Sequence, residues 1–283
     1  MTRGRPVSRV FAILEKMAQA EPANQPPKAS DVVSEIRLED LEGYGEAKEW
    51  GLDLARDLED WRTGTISWED VDKGVLLSGP PGTGKTMFAR ALAATCHVKL
   101  IATSYAKWQA KGYLNDFLKA MQKSFKEAKD AAPTILFIDE LDAFGSRDGA
   151  AGSNASYDIM AINGLLEELD GIEGREGVIV VAACNHPKMV DAAILRAGRL
   201  DRHVMISLPN GRAREAIFRM HLHGGLSEDD HRAFAEATEG LSGAEIEKIV
   251  RNARRTARRR REPITRSDLI VHLPFMGTSH RMF

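Results

Sequence analysis

The stretch Gly79-Pro80-Pro81-Gly82-Thr83-Gly84-Lys85-Thr86 follows directly on the apolar run Gly74-Val75-Leu76-Leu77-Ser78. That order predicts a buried strand feeding a glycine-rich turn and then a helix. Gly79, Gly82 and Gly84 allow positive φ and let the backbone come close to an anion, where consecutive N–H groups and a helix N-terminus concentrate positive potential. Pro81, Gly82, Thr83, Gly84, Lys85, Thr86 and Met87 are therefore expected to surround the phosphates of a nucleotide. Lys85 is placed to reach the β- and γ-phosphates and the Thr86 hydroxyl to hold Mg²⁺.

A second motif lies downstream, Thr134-Ile135-Leu136-Phe137-Ile138-Asp139-Glu140. The apolar run is long enough for a strand buried on both faces, and it ends in two carboxylates. Open α/β sheets place their ligands at the carboxyl ends of strands. Asp139 is expected to enter the Mg²⁺ shell through water, and Glu140 to orient and deprotonate the water that attacks the γ-phosphate. A buried carboxylate is costly unless it is paired or bound to a metal, which disfavours a purely structural role for two adjacent acids.

The 283 residues allow one sizeable domain or a domain plus a smaller lid, and a hydrophobic content of 43% is ordinary for a globular chain. The formal net charge of -2 gives no overall electrostatic reason to expect nucleic acid or an acidic membrane. Cys96 and Cys184 are the only cysteines and lie far apart, which points to a reducing compartment and to buried small hydrophobes rather than a disulfide framework. No stretch approaches the roughly 18 apolar residues of a membrane span. A cytoplasmic setting is the expectation, with a membrane anchor in a longer parent protein as the open alternative.

The order of predicted elements gives an α/β class with a doubly wound, mostly parallel sheet. Short buried strands are expected at 74–77, 98–103, 134–138 and 178–183, separated by helices such as 46–61, 115–131 and 159–169. After Leu208-Pro209-Asn210-Gly211 the strands stop, and 213–223, 228–237, 243–260 and 266–273 favour helix. Three regions follow: an N-terminal helix and polar linker over 1–30, an α/β nucleotide-binding domain over 31–208, and a helical lid over 209–283. Gly145 to Ser156 reads as a loop.

Two further segments carry chemistry. Asn185 ends the buried run Val178–Cys184, where its amide is placed to hydrogen-bond the γ-phosphate or the attacking water. Ile194-Leu195-Arg196-Ala197-Gly198-Arg199-Leu200-Asp201-Arg202 is dense in guanidinium groups, which suit the charge that develops on a transferring phosphoryl group and can be supplied by a neighbouring subunit. Arg196 and Arg199 are the candidates for that role. Arg202 is better read as pairing with acids of its own chain.

Gly79–Thr86, Asp139-Glu140, Asn185 and Arg196–Arg199 occur in the order and spacing of AAA+ ATPases, and the resemblance covers about residues 38 to 273. Within that superfamily the chain is most similar to the AAA module of FtsH-type zinc proteases. Glu39-Asp40-Leu41-Glu42-Gly43, Glu46-Ala47-Lys48-Glu49, Glu168-Leu169-Asp170-Gly171 and Gly240-Leu241-Ser242-Gly243-Ala244-Glu245 carry that similarity. The resemblance implies ATP and ADP with Mg²⁺ as ligands, and a homo-oligomeric ring, a hexamer, acting on a protein substrate. In such a ring Arg196 and Arg199 complete the site of the next subunit. It also implies that Leu41 and Gly43 border the adenine, that His221 approaches the nucleotide, and that Gly243-Ala244 fills the second sensor position without a charged side chain. For His221, a plain position on a lid helix is the alternative.

Some features depart from the family pattern. The family's pore loop projects an aromatic residue, and here both Trp108 and Tyr113 are candidates, each of which could instead be core. His-Glu-x-x-His is absent, so a zinc peptidase is not expected within this chain; an excised ATPase module and a complete soluble remodeler that works without its own protease are the competing explanations, and a protease domain or partner outside this chain is the further partner to expect. The run Arg251 to Arg261 holds seven arginines on a predicted helix and reads as a solvated or intersubunit face before it reads as a nucleic-acid site. A nucleic-acid-remodeling ATPase and a slow, nucleotide-gated scaffold are the rival functions.

Overall fold

The computed structural model describes residues 36–147, 155–171, 176–223 and 225–274. The N-terminal helix and linker expected over 1–30 lie outside them. The described chain divides at 207/208 into an α/β unit and a helical unit.

The α/β unit is built on five parallel strands in the order β2-β3-β4-β1-β5, namely β1 (Gly74–Ser78), β2 (Lys99–Ser104), β3 (Thr134–Asp139), β4 (Val178–Cys184) and β5 (Arg202–Met205). Every residue of β1 and β4 is buried, as expected of central parallel strands with both faces covered. Helices α1 (Glu46–Arg62), α2 (Lys85–Thr95), α3 (Tyr105–Gln109), α4 (Leu114–Asp130) and α5 (Ala155–Asp170) belong to this unit. Their periodicity explains their docking: α1 buries Ala47, Trp50, Leu54 and Leu58, and α4 buries Phe117, Met121, Phe125 and Ala128, each at spacings of three and four that form one stripe.

Two expectations are corrected. Strand β5 falls where the sequence suggested only an arginine-rich segment. It is an edge strand in which Val204 alone is buried, so it lacks the apolar run that marks the central strands. Helix α5 starts at Ala155, inside the expected loop over 145–156; the middle of that loop, 148–154, lies outside the described residues.

The helical unit contains α6 (Gly211–Leu222), α7 (Glu228–Ala237), α8 (Gly243–Arg260) and α9 (Arg266–Ile270). Phe218, Phe234, Ile246, Ile249, Val250 and Leu269 form its core. Each helix begins with a side-chain cap, from Asn210, Ser227, Ser242 and Thr265, and the last three close capping boxes with Asp230, Glu245 and Asp268. Arg214 is buried with its guanidinium donating to the carbonyls of Ala235 (2.7 Å) and Pro209 (2.8 Å), which satisfies the buried charge with hydrogen bonds.

Candidate functional site

At the carboxyl end of β1 the chain turns through Gly79 and Gly84, whose φ values are +151° and +88°. A Cβ at Gly79 would come to 2.1 Å from the Ile206 carbonyl oxygen, and one at Gly84 to 2.2 Å from the Tyr44 hydroxyl. Both positions therefore demand glycine. Beyond the turn, the N–H groups of Gly82, Gly84, Lys85, Thr86 and Met87 have no hydrogen-bond acceptor among the described residues. They sit at the N-terminus of the eleven-residue helix α2. A run of free donors on a positive-φ loop at a helix N-terminus is the cradle that a phosphate chain fits.

Lys85 opens α2, and although it is a lysine it is only 9% exposed. Its Nζ donates to the carbonyls of Gly79 (2.8 Å) and Pro80 (3.1 Å) and to Asn185 Oδ1 (2.9 Å), the last reaching across from the end of β4. Burial lowers its pKa from the ordinary lysine value, an effect opposed by the carboxylates of Asp139 and Asp142. Thr86 Oγ1 donates to Asp139 Oδ2 at 3.4 Å. A hydroxyl and a carboxylate thus meet beside the phosphate cradle, a donor set of the hard oxygen type that suits a largely hydrated Mg²⁺. Glu140 follows in a left-handed conformation (φ 58°), with its N–H donating back to Asp139 Oδ1 (2.9 Å), and its side chain is exposed. The left-handed residue turns the chain off the strand, so successive carboxylates do not simply alternate across the sheet.

Asp142, unremarked in the sequence reading, organises the opposite wall. It is buried, and its Oδ2 accepts the N–H groups of Asn185 (3.1 Å) and His186 (2.9 Å). The amide of Asn185 is thereby aimed by a side chain from the segment that follows β3. Its only signal in the sequence was a third acid, three residues after Asp139.

The comparisons with known proteins agree with this geometry. Residues 75–208 match the model of the ATPase family associated with various cellular activities (AAA), and residues 228–271 match the AAA+ lid domain. Together the two matches reach from β1 to α9. Residues 75–271 are an AAA ATPase module with its lid. The chain is 38% identical over 239 residues to the ATP-dependent zinc metalloprotease FtsH 2 of Petrotoga mobilis, an alignment covering 83% of this chain and 38% of that protein. It is 40% identical over 238 residues to FtsH 3 of Sphaerobacter thermophilus, covering 83% and 48%. A Cell division cycle protein 48 homolog of Archaeoglobus fulgidus is 37% identical over 230 residues, covering 78% and 30%. The chain spans less than half the length of these relatives. Among the described residues, no helix of the AAA module is long and apolar enough to cross a membrane.

The module separates the two finger candidates. Arg199 is committed within its own chain, with Nε and Nη2 donating to the two carboxylate oxygens of Asp170 and Nη1 to the Ala193 carbonyl (2.6 Å). Arg196 is exposed and forms no ion pair with a described carboxylate. Arg202, on β5, lies 3.5 Å from Glu46 and 3.8 Å from Asp72 of its own chain. The start of the segment is fixed by Asp191, which receives the Arg147 side chain through two 2.9 Å bonds and the Arg147 N–H through a third; the Arg147 guanidinium holds the Asp191 carboxyl down to about 2.

The pore candidates also part. Trp108 is core: it is 2% exposed, its Nε1 donates to Ser124 Oγ (3.0 Å), and its ring meets Phe117 and Phe144 edge to face. A pore role for Trp108 is therefore corrected, since a side chain enclosed on all sides has no face for a substrate. Tyr113, preceding α4, is 88% exposed.

On the base side, the Leu41 side chain is buried, so only backbone at Leu41 and Gly43 (φ 87°) can face a ligand, and Lys48 Nζ already holds the Leu41 carbonyl at 2.8 Å. Tyr44, absent from the sequence reading, donates its hydroxyl to the Gly84 carbonyl (3.2 Å) and stacks on Phe88 (5.6 Å). Within the lid, His221 lies in the last turn of α6, where burial lowers its pKa, and Gly243-Ala244 form the first turn of α8 behind the Ser242 cap. The two cysteines are free and buried as expected, and burial pushes both thiols up to about 12.

Proposed function

We propose that this AAA module hydrolyses ATP as part of a homohexameric ring and uses the cycle to unfold, move or remodel a protein substrate. The observation that carries the reading is the convergence of Lys85, Thr86, Asp139 and Asn185 on a loop whose N–H groups are free to receive phosphate oxygens. In this scheme Lys85 and the loop amides bind the β- and γ-phosphates, Thr86 and Asp139 hold Mg²⁺, and Glu140 takes a proton from the attacking water. Bound Mg²⁺ would neutralise charge on the phosphates. Asn185 orients the water or the γ-phosphate, Leu41 and Gly43 border the adenine, His221 approaches the nucleotide, and Gly243-Ala244 fill the second sensor position. Arg196 reaches the site of the adjacent subunit, while Arg199 braces the segment that presents it. Tyr113 is the aromatic placed to grip a polypeptide. The printed name of the FtsH relatives, ATP-dependent zinc metalloproteases, supports protein as the substrate class, and a cytoplasmic setting is part of the same reading. A protease domain or partner lying outside this chain would receive what the ring unfolds.

The test measures ATPase rate per subunit against protein concentration, with light-scattering mass, for wild type and Arg196→Ala. A rate that rises with assembly and falls by about three to five orders of magnitude in the variant is expected from loss of a finger in trans. A rate independent of both assembly and Arg196 overturns the ring mechanism. A wild-type turnover unaffected by Glu140→Gln would leave only a nucleotide-gated scaffold.

A further inference from the structure

Helix α8 of the lid carries Arg251, Arg254, Arg255, Arg258, Arg259 and Arg260, and Arg261 caps it. Few of these charges are answered within the unit. Arg260 grips Asp268 at 2.6 and 2.8 Å and Glu262 at 3.0 Å, and Arg251 lies 3.7 Å from Glu247. Arg254, Arg255, Arg258, Arg259 and Arg261 form no ion pair with a described carboxylate. Cations in the last turn are favoured by the carbonyl end of the helix, which accounts for Arg258 to Arg261. It does not account for Arg251 and Arg254, which lie further back. Like charges three and four residues apart, as in Arg251/Arg254 and Arg254/Arg258, weaken an isolated helix.

Arg251 and Arg254 border an open-sided cavity, Arg251 while remaining largely exposed. The cavity measures about 470 Å³, and Val250, Ala257 and Ile264 give it an apolar floor beneath Arg251, Arg254 and Arg258. The size falls within the range of built ligand sites. The three rim arginines stand at i, i+3 and i+7, so they rise about 4.5 and then 6 Å along the axis. Carboxylates on one face of a second helix repeat at the same rises. Glu247 and Glu262 also line the cavity, so its rim alternates in sign and does not offer the uniform positive track that a phosphodiester chain follows.

We propose that this groove docks an acidic amphipathic helix of a partner protein, with carboxylates on Arg251, Arg254 and Arg258 and one apolar side chain over Val250, Ala257 and Ile264. The mode is a helix laid into a groove, anchored by burial and placed in register by charge. The inference concerns the lid alone; His221 of α6, which the proposed function sets beside the nucleotide, also lines this cavity, so binding is measured without nucleotide.

The test titrates the full chain, without nucleotide, into a fluorescein-labelled helical peptide whose three glutamates are spaced as Arg251, Arg254 and Arg258 are, with a single leucine between them, and reads anisotropy. Wild type is expected to bind. Arg254→Glu with Arg258→Glu should weaken binding at least about tenfold, and replacing the peptide leucine by serine should do the same, since burying a leucine is worth at least that factor. Arg254→Gln with Arg258→Gln, checked by circular dichroism for an unchanged melt, serves if the doubly reversed variant does not fold. An unchanged Kd in the folded variant overturns the proposal. So does a serine peptide that binds as well as the leucine peptide, because that is unanchored charge attraction. A single-stranded oligonucleotide that binds more tightly than the peptide and loses that binding in the variant would instead assign the groove to nucleic acid. A variant that changes only the light-scattering mass of the protein would assign it to contact between copies.

Discussion

Lys85 and Asn185, one hundred positions apart in sequence, are joined by a 2.9 Å hydrogen bond between Nζ and Oδ1. With the Gly79 and Pro80 carbonyls, this bond uses all three donors of the ammonium group. A phosphate oxygen that takes a donor must therefore displace one acceptor, and Asn185, a side chain, moves more easily than loop backbone. Occupation of the cradle and release of Asn185 are then one event. Lys85→Ala is expected to abolish nucleotide binding. Asn185→Ala should leave affinity nearly intact and lower kcat by about ten- to hundredfold, the size of one hydrogen bond to a charged group. Fluorescent-nucleotide titration beside steady-state ATPase checks both, and equal losses in affinity and kcat for Asn185→Ala would sink the sensing role.

The burial of Lys85 has a pH consequence. Its pKa is lowered from 10.5, so the cation is lost at a lower pH than for an exposed lysine. Phosphate favours the cation and raises that pKa again, so binding at alkaline pH takes up a proton, and affinity falls as pH rises through the lowered value. Lys85→Arg stays charged and should flatten the profile. Nucleotide Kd measured from neutral pH upward tests this; parallel slopes in wild type and variant would contradict it.

Tyr44 ties the segment bordering the expected base site to the phosphate loop, since Gly84 O accepts both its hydroxyl and the Phe88 N–H that starts α2. Burial pushes the phenol up to about 12, so it remains a donor across the working range. Tyr44→Phe keeps the stack on Phe88 and loses one buried hydrogen bond, about 1 kcal/mol. The expected readout is a several-fold rise in KM for ATP with kcat little changed and a small drop in Tm. An unchanged KM would reduce Tyr44 to packing.

Trp108 and Tyr113 should behave oppositely. Trp108→Ala opens the aromatic core and is expected to cost about 3–5 kcal/mol of stability. Tyr113→Ala removes an exposed ring, so chemical denaturation should change by less than about 0.5 kcal/mol, while processing of an unfolded protein substrate is lost and basal ATPase persists. Normal processing by Tyr113→Ala would remove this residue from substrate handling.

The contrast between these two aromatics shows where the sequence stops. Trp108 and Tyr113 lie in one short stretch with similar local patterns, and only the packing of α3 against α4 and the segment after β3 encloses one and leaves the other outside. The same holds for Arg196 and Arg199. Their spacing announced a guanidinium pair, but Asp170, twenty-nine positions away, is what occupies one of them. Edge strand β5 was missed because its exposed residues carry no apolar run, and it is fixed by register with β1.

The chain by itself determined the phosphate loop, the paired acids, the central strands β1, β3 and β4, and the succession from α/β unit to helical lid. Each is a local matter of glycine φ, apolar run length or helical period, all encoded by neighbours in sequence. The tertiary structure alone decided the contacts between distant residues: Lys85 with Asn185, Asp142 with the Asn185 loop, Tyr44 with Gly84, Arg199 with Asp170, and the arginine-rimmed cavity between α6 and α8. Such contacts depend on which strand lies beside which and how helices roll onto their apolar stripes. The energies that settle those choices are summed over the whole core, and no short window of sequence contains them.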